Sequence, residues 1–189
     1  YLSLDEVSLT LSKGHACEWN VAVDGSEGAC KVLEDNAGSP KKALLDTIGG
    51  KRWLSVLMLP PIHLLVVGGG YDATFMTKLA SLQGYLVSLW DPRPAQARVE
   101  HFPEVNYLID DPTTEGVRVH LNEHNIQAAV LMSHHREIDA KALQLLSMHS
   151  LTYTAMLGPL HRKQEIMDLA GLSDTNFTQY FASPAGFDI

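Results

Sequence analysis

The triplet Gly68-Gly69-Gly70 constrains this chain more than any other feature of its sequence. It follows an apolar run, His63 to Val67, and precedes Ala73 to Gln83, where Phe75, Met76, Leu79 and Leu82 recur at helical spacing. A continuous apolar run of this length reads as a strand buried on both faces. A strand that bends at once into a helix needs glycine at the bend, because glycine takes positive φ without a steric penalty. The run Gly68-Gly69-Gly70-Tyr71-Asp72-Ala73 fits G-x-G-x-x-G/A, and Asp91 follows 23 residues after Gly68, closing the strand candidate Tyr85 to Trp90. Strand, glycine turn, helix and distal acid make up the dinucleotide fingerprint. Gly68 permits the tight turn, and Gly70 lets backbone N–H groups approach a pyrophosphate at the positive end of the helix. Ala73 lets the helix pack closely, and Asp91 can accept ribose hydroxyls. The competing reading is a tight turn with no ligand. Asp72 suits it: a first-turn carboxylate stabilises a helix by about 0.3–1 kcal/mol, and would repel a pyrophosphate if it pointed inward.

Beyond the turn, strand and helix signals alternate. Val105 to Ile109, Ile126 to Met132, Leu151 to Leu157 and the short Tyr180 to Ala182 read as strands. Thr113 to Asn125 (with Thr114 as N-cap candidate), Ile138 to Met148, and His161 to Ala170 closed by Gly171 read as helices. Such alternation implies βαβ units with right-handed crossovers. The expected fold is α/β: a Rossmann-like, doubly wound, mostly parallel sheet over residues 62–189, behind a small β-rich region over residues 1–61. In that first region Glu18 to Val23 and Ala29 to Leu33 form a hairpin around Asp24-Gly25-Ser26-Glu27-Gly28. Asn36 to Pro40 is a turn, Lys41 to Ile48 a short helix, and Trp53 to Leu59 a strand ended by Pro60-Pro61.

With 22 acids against 14 bases the formal charge is −8, which argues against nucleic acid and against an anionic membrane surface as partners. No apolar run approaches the roughly 18 residues of a membrane span, and no signal peptide is visible. Two cysteines, Cys17 and Cys30, fit a cytoplasmic location with reduced thiols.

Ser133 and His134 follow the fourth strand of the alternating region, where an open α/β sheet binds its ligands. They read either as ligand contacts or as an ordinary polar loop. His134 and His135 are adjacent, so they do not share a helix face as metal ligands at i, i+4 would, and no metal site is expected. Arg162 and Lys163 open a helix, where cations oppose the helix dipole. An anionic ligand explains them, and so does solvated surface charge. No catalytic residue is assigned, since no nucleophile–base signature such as G-x-S-x-G occurs.

Four ordered segments resemble the XdhC/CoxI family of accessory proteins for xanthine dehydrogenase and carbon monoxide dehydrogenase. They are Pro60 to Gly70, Trp90-Asp91-Pro92-Arg93-Pro94, Tyr153 to Pro159 with Arg162-Lys163, and Pro184 to Ile189. Tyr71 and Asp72 depart from the residues common at those positions in the family. The resemblance implies a binding protein more than an enzyme, with molybdenum cofactor as cargo and a molybdoenzyme apoprotein and a cysteine desulfurase as partners. It also marks Gly158 as a groove residue, beside Gly68, Gly69, Gly70, Tyr71, Ala73, Asp91, Arg93, Ser133, His134, Arg162 and Lys163. Cys17 and Cys30 read either as thiolates for molybdenum or sulfur, or as small buried hydrophobes. For a dinucleotide, NAD is favoured over NADP, because Asp91 disfavours a 2′-phosphate while Arg93 opposes that preference. A homodimer is compatible with this reading. The alternatives are an NAD(P)-dependent oxidoreductase and a degenerate Rossmann module that only makes protein contacts.

Overall fold

The computed structural model describes residues 3–33, 43–173 and 180–186. The chain divides into two compact units, Tyr1–Pro61 and Ile62–Ile189.

The first unit starts with helix α1 (Leu4–Ser12), followed by β1 (Cys17–Ala22), β2 (Gly28–Val32), β3 (Ala43–Ile48) and β4 (Lys51–Met58). The strands form an antiparallel sheet in the order β2-β1-β4-β3. The expected helix over Lys41 to Ile48 is instead a strand from Ala43 onward, with Lys41 and the expected turn Asn36 to Pro40 outside the described residues. Gly49 and Gly50 decide the matter. Both have positive φ (61° and 80°), and they link Ile48 to its partner Lys51. Two positive-φ residues between paired strands make the tight hairpin turn that matches strand twist. That turn outweighs the weak helical propensity before it. Helix α1 was not anticipated. Only Val7 of it is buried, so its apolar signal is thin, and Ser3 Oγ donates to the Gly28 carbonyl at 2.8 Å.

The second unit runs β5 (His63–Val67), α2 (Tyr71–Leu82), β6 (Leu86–Trp90), a 3-10 turn (Val99–His101), β7 (Tyr107–Ile109), α3 (Thr114–Glu123), β8 (Ala128–Leu131), α4 (Arg136–Leu146), β9 (Tyr153–Met156), α5 (Leu160–Leu169) and β10 (Phe181–Ala182). Its six strands lie in the order β10-β9-β8-β5-β6-β7, and every pairing is parallel. From β5 the chain moves outward through β6 and β7, then returns to β8 on the other side. That reversal is the switch point where doubly wound sheets open a crevice. Strand β5 alternates between two cores: Leu65 and Val67 pack with Leu143, Leu146 and Ile166, while Leu64 and Val66 pack with Ala73, Ala80 and Phe102.

Helix α2 corrects one expectation. Its buried residues are Ala73, Thr77 and Ala80, whereas Phe75, Leu79 and Leu82 are 54%, 60% and 73% exposed. Of the four apolar residues expected on the inner side, only Met76 packs against the core. Small residues bring the helix axis close to the sheet, and the large apolar side chains are turned outward. The N-cap of α3 is Thr113, not Thr114: its Oγ1 accepts from Glu115 N–H at 3.3 Å. No helix among the described residues is long and apolar enough to cross a membrane.

Candidate functional site

The C-terminal ends of β5, β6 and β8 converge on the glycine turn. Gly68 has φ 112°, and a Cβ there would lie 2.5 Å from the backbone Cα of Ser133, so the turn presses directly on the chain leaving β8. Only glycine fits both the dihedral and the space. Gly69 is equally confined on its other side, where a Cβ would meet Ala97 N at 2.9 Å. The segment after β6 therefore lies against the turn. Ala73 is fully buried where α2 packs on the sheet.

Asp91 stands between these parts with a buried side chain. Its Oδ2 accepts from Gly69 N–H at 2.8 Å and from Arg93 Nη2 at 2.6 Å. Its Oδ1 accepts from Arg93 N–H and Nε, each at 2.9 Å. Burial works to raise this carboxyl, but the Arg93 guanidinium and the two backbone N–H groups outweigh it and hold it below the usual carboxylate range. Arg93 Nη2 also donates to the Ser133 carbonyl at 3.2 Å. Ser133 Oγ donates to Asp139 Oδ1 at 2.5 Å, and Arg162 Nη2 donates to Asp139 Oδ2 at 2.7 Å. Two aspartates and two arginines thus form one charge-balanced network along this edge of the sheet. Asp139, 1% exposed, was missed by the sequence reading. Its only signal was an acid set between Ile138 and Ala140 in the apolar pattern of α4. Gly158 serves the same network: its φ is 138°, and a Cβ would lie 2.6 Å from the Arg162 Cδ. Lys163 lies elsewhere, donating to the Phe181 carbonyl at 2.8 Å with its ammonium 5.1 Å from that ring's centre.

Asp72 lies in the first turn of α2, and its Oδ1 accepts from Ala73 N–H at 3.1 Å. Its Oδ2 lies 2.6 Å from His134 Nε2. His134 reaches it from a left-handed backbone conformation, φ 57°, which is uncommon for a residue other than glycine. The pair joins the start of α2 to the loop after β8.

Beside the turn opens a cleft of about 570 Å³, within the range of small-molecule sites. Gly69, Gly70, Tyr71 and Thr74 line one wall, and Ala95, Gln96 and His101 the other. Tyr71 is 81% exposed, and its ring meets Phe75 edge-on with centroids 5.1 Å apart. The glycines and Tyr71 were legible from the motif. Gln96 and His101 were not, because they sit in an irregular segment with no periodicity.

The sequence reading also missed a cluster that begins where β5 begins, at the opposite edge of the sheet. Ser88 Oγ lies 2.7 Å from His63 Nε2 and 2.7 Å from His120 Nε2. A hydroxyl has one proton, so it donates to one ring and accepts from the other. His124 packs on His120 and Tyr107 on His124, with ring centroids 4.2 and 4.5 Å apart. Burial, reinforced by the neighbouring histidines, pushes both His63 and His120 down to about 4.

In the first unit Cys17 and Cys30 are free thiols on neighbouring strands. Burial, with a smaller contribution from the Cys30 thiol, pushes Cys17 up to about 11. Such a group is a thiol and not a thiolate at neutral pH. Among the described residues no group of three or more His, Cys, Asp and Glu is placed to hold a metal ion.

Strand order, switch point and glycine turn together define a Rossmann domain. Residues 64–189 match the family model described as the XdhC Rossmann domain. The chain belongs to the XdhC family. It is 29% identical over 133 residues to a Bacillus subtilis (strain 168) protein described as a probable xanthine dehydrogenase subunit, and the alignment covers 69% of this chain and 38% of that protein. A crystal structure described as a xanthine dehydrogenase from Bacillus halodurans superposes with a TM-score of 0.70 at 21% identity, covering 98% of this chain and 59% of that one. The chain therefore spans less than two thirds of the length of either relative.

Proposed function

We propose that this chain is an accessory protein for maturation of a molybdenum-cofactor enzyme of the xanthine dehydrogenase type. Its Rossmann unit holds a nucleotide or pterin-type ligand beside the glycine turn. The observation that carries the reading is the cleft at Gly69, Gly70 and Tyr71 in a chain of the XdhC family. Its partners are the molybdoenzyme apoprotein and a cysteine desulfurase, and its place of action is the cytoplasm. Binding is favoured over catalysis because, among the described residues, the cleft lining holds no carboxylate or thiol and a single imidazole, His101.

An NAD(P)-dependent oxidoreductase is the weaker reading. The residues present do not fit a dinucleotide held in the usual way. The Asp91 oxygens that would accept ribose hydroxyls already accept from Gly69 and Arg93. The start of α2, where a pyrophosphate would sit, holds the Asp72 carboxylate and its His134 partner. A module that only makes protein contacts draws support from one feature, the outward apolar face of α2 with Phe75, Leu79 and Leu82.

The test is a strain lacking this protein. Molybdenum hydroxylase activity and the sulfur content of the enzyme's cofactor are measured with and without the wild-type chain supplied in trans. The expected result is loss of activity restored by the wild type. Fully active, fully sulfurated enzyme in the deletion strain would end the proposal.

A further inference from the structure

The usual Rossmann site grips its ligand by the phosphates, through glycine-turn N–H groups and the positive helix end. In this chain two of those N–H groups already face the chain's own carboxylates. Gly69 N–H donates to Asp91 Oδ2 at 2.8 Å, and Ala73 N–H has Asp72 Oδ1 at 3.1 Å. The nearby cations are also engaged: Arg93 with Asp91, and Arg162 with Asp139. Among the described residues, the cleft lining holds no lysine or arginine. At the start of α2, beside the lining residue Gly70, stands the Asp72 carboxylate, 39% exposed at its side chain, whose charge repels a phosphate there.

What the cleft does offer is a ring site. Tyr71 presents an exposed aromatic face at its mouth, steadied by the edge-on contact with Phe75. Gln96 on the opposite wall carries an amide, which can both donate to and accept from the edge of a heterocycle. His101 adds a second polar ring on that side. Stacking on an aromatic face tolerates any flat ring, and an amide selects rings whose edge alternates donor and acceptor.

We infer that the cleft between α2 and the segment after β6 binds a bicyclic heteroaromatic ring, of purine or pterin type, through the ring itself and without an anchoring phosphate. This rests on the reading of the groove as a nucleotide or pterin site, and it specifies which part of the ligand is held. Asp72 is the residue that sets specificity: its charge removes the affinity that a phosphate would otherwise add.

Calorimetric titration of the whole chain with adenosine, AMP, ADP, NAD and neopterin tests this. Neopterin carries the pterin ring without phosphate. At least one uncharged compound, adenosine or neopterin, is expected to bind, and the tighter of the two identifies the ring. AMP and ADP should bind within about threefold of adenosine. Tyr71→Ala should weaken the ring ligand on the order of tenfold, while Tyr71→Phe retains it. Both variants should fold, because the side chain is 81% exposed. Asp72→Asn should raise ADP affinity above that of adenosine. Binding of ADP or NAD with no binding of adenosine or neopterin would overturn the inference, yet leave a groove for nucleotides. Tyr71→Ala with unchanged affinity would overturn it as well. If none of the five compounds binds at millimolar concentration, the ring site is gone, and the maturation role still stands or falls on the deletion strain.

Discussion

The unit Tyr1–Pro61 and the unit Ile62–Ile189 are both built on a sheet, and they differ in how much each sheet hides. In the first, the buried apolar residues among those described are Val7, Cys17 and Ala22, and every residue of β3 is exposed. In the second, all of β5 is buried, and Leu65, Trp90, Phe102, Leu143 and Ile166 are almost wholly enclosed. A parallel sheet with helical crossovers needs cover on both faces, whereas an antiparallel sheet tolerates a wet face. Order in the first unit therefore leans on turns and surface bonds, such as Gly49-Gly50 and the Lys51–Glu27 pair at 2.7 Å. Order in the second comes from packing, which punishes small changes of volume. The contrast predicts that the units respond differently to substitution.

The largest effect should come from Gly68→Ala. Its Cβ would lie 2.5 Å from Ser133 backbone atoms, and its φ of 112° disfavours any side chain. The second unit should lose about 3 kcal/mol or more. Trp90 fluorescence reports that unit once Trp19 and Trp53 are changed to Phe. An equal loss in the first unit, read at Trp19 alone, would show that the two melt together and would break the comparison.

Acid comes next. His63 and His120 are held at about 4, below the ordinary 6.5. A base whose folded value is depressed gives stability that is whole above 6.5 and fades as pH falls from there towards 4. By pH 5 the loss should be about 2 kcal/mol per histidine, confined to the second unit. Urea melts at pH 7.5 and 5 measure it, and His120→Gln should flatten the difference. Equal acid loss in that variant would remove the cluster as the cause.

Val7→Ala should cost the first unit about 1–2 kcal/mol, since Val7 is the buried contact of α1. A loss below 0.5 kcal/mol would mean that α1 contributes little beyond the Ser3 bond. Smallest of all, Leu45→Thr on β3 should stay within about 0.5 kcal/mol, because the residue is 51% exposed. A large loss there would reveal that β3 is covered in solution and would sharpen the contrast into one of partnership.

Most of the second unit was legible because its signals are local and periodic. The apolar run of β5, the glycine turn and the alternation that follows each leave a mark within a few residues. What stayed hidden depends on distance. Small residues decided which side of α2 faces inward; the motif marked Ala73 as a packing position, but the apolar spacing gave no sign that Thr77 and Ala80 outrank Phe75 and Leu79. Asp139 and the Ser88 cluster take their meaning from partners many residues away. In the first unit, β3 carries a helical look along its own stretch, and only the positive-φ pair Gly49-Gly50 beyond its end marks it as one arm of a hairpin. At the site, Gly69, Gly70 and Tyr71 of the motif line the cleft, whereas Asp91 as a ribose acceptor was an inference from position alone. It could not reveal that Arg93, two residues on, saturates that carboxylate.

The acid that ends the second strand is the lever by which a Rossmann enzyme is re-engineered from one nicotinamide cofactor to the other. In this chain the lever is bolted to the frame. Replacing Asp91 would free the Arg93 guanidinium, release Gly69 N–H and loosen the segment that forms one wall of the cleft. The first thing a designer would then measure is a lower melting temperature, not a changed preference. Reshaping the cleft without unfastening the turn begins instead at Gln96 and His101, which line it and take no part in the Asp91 bonds.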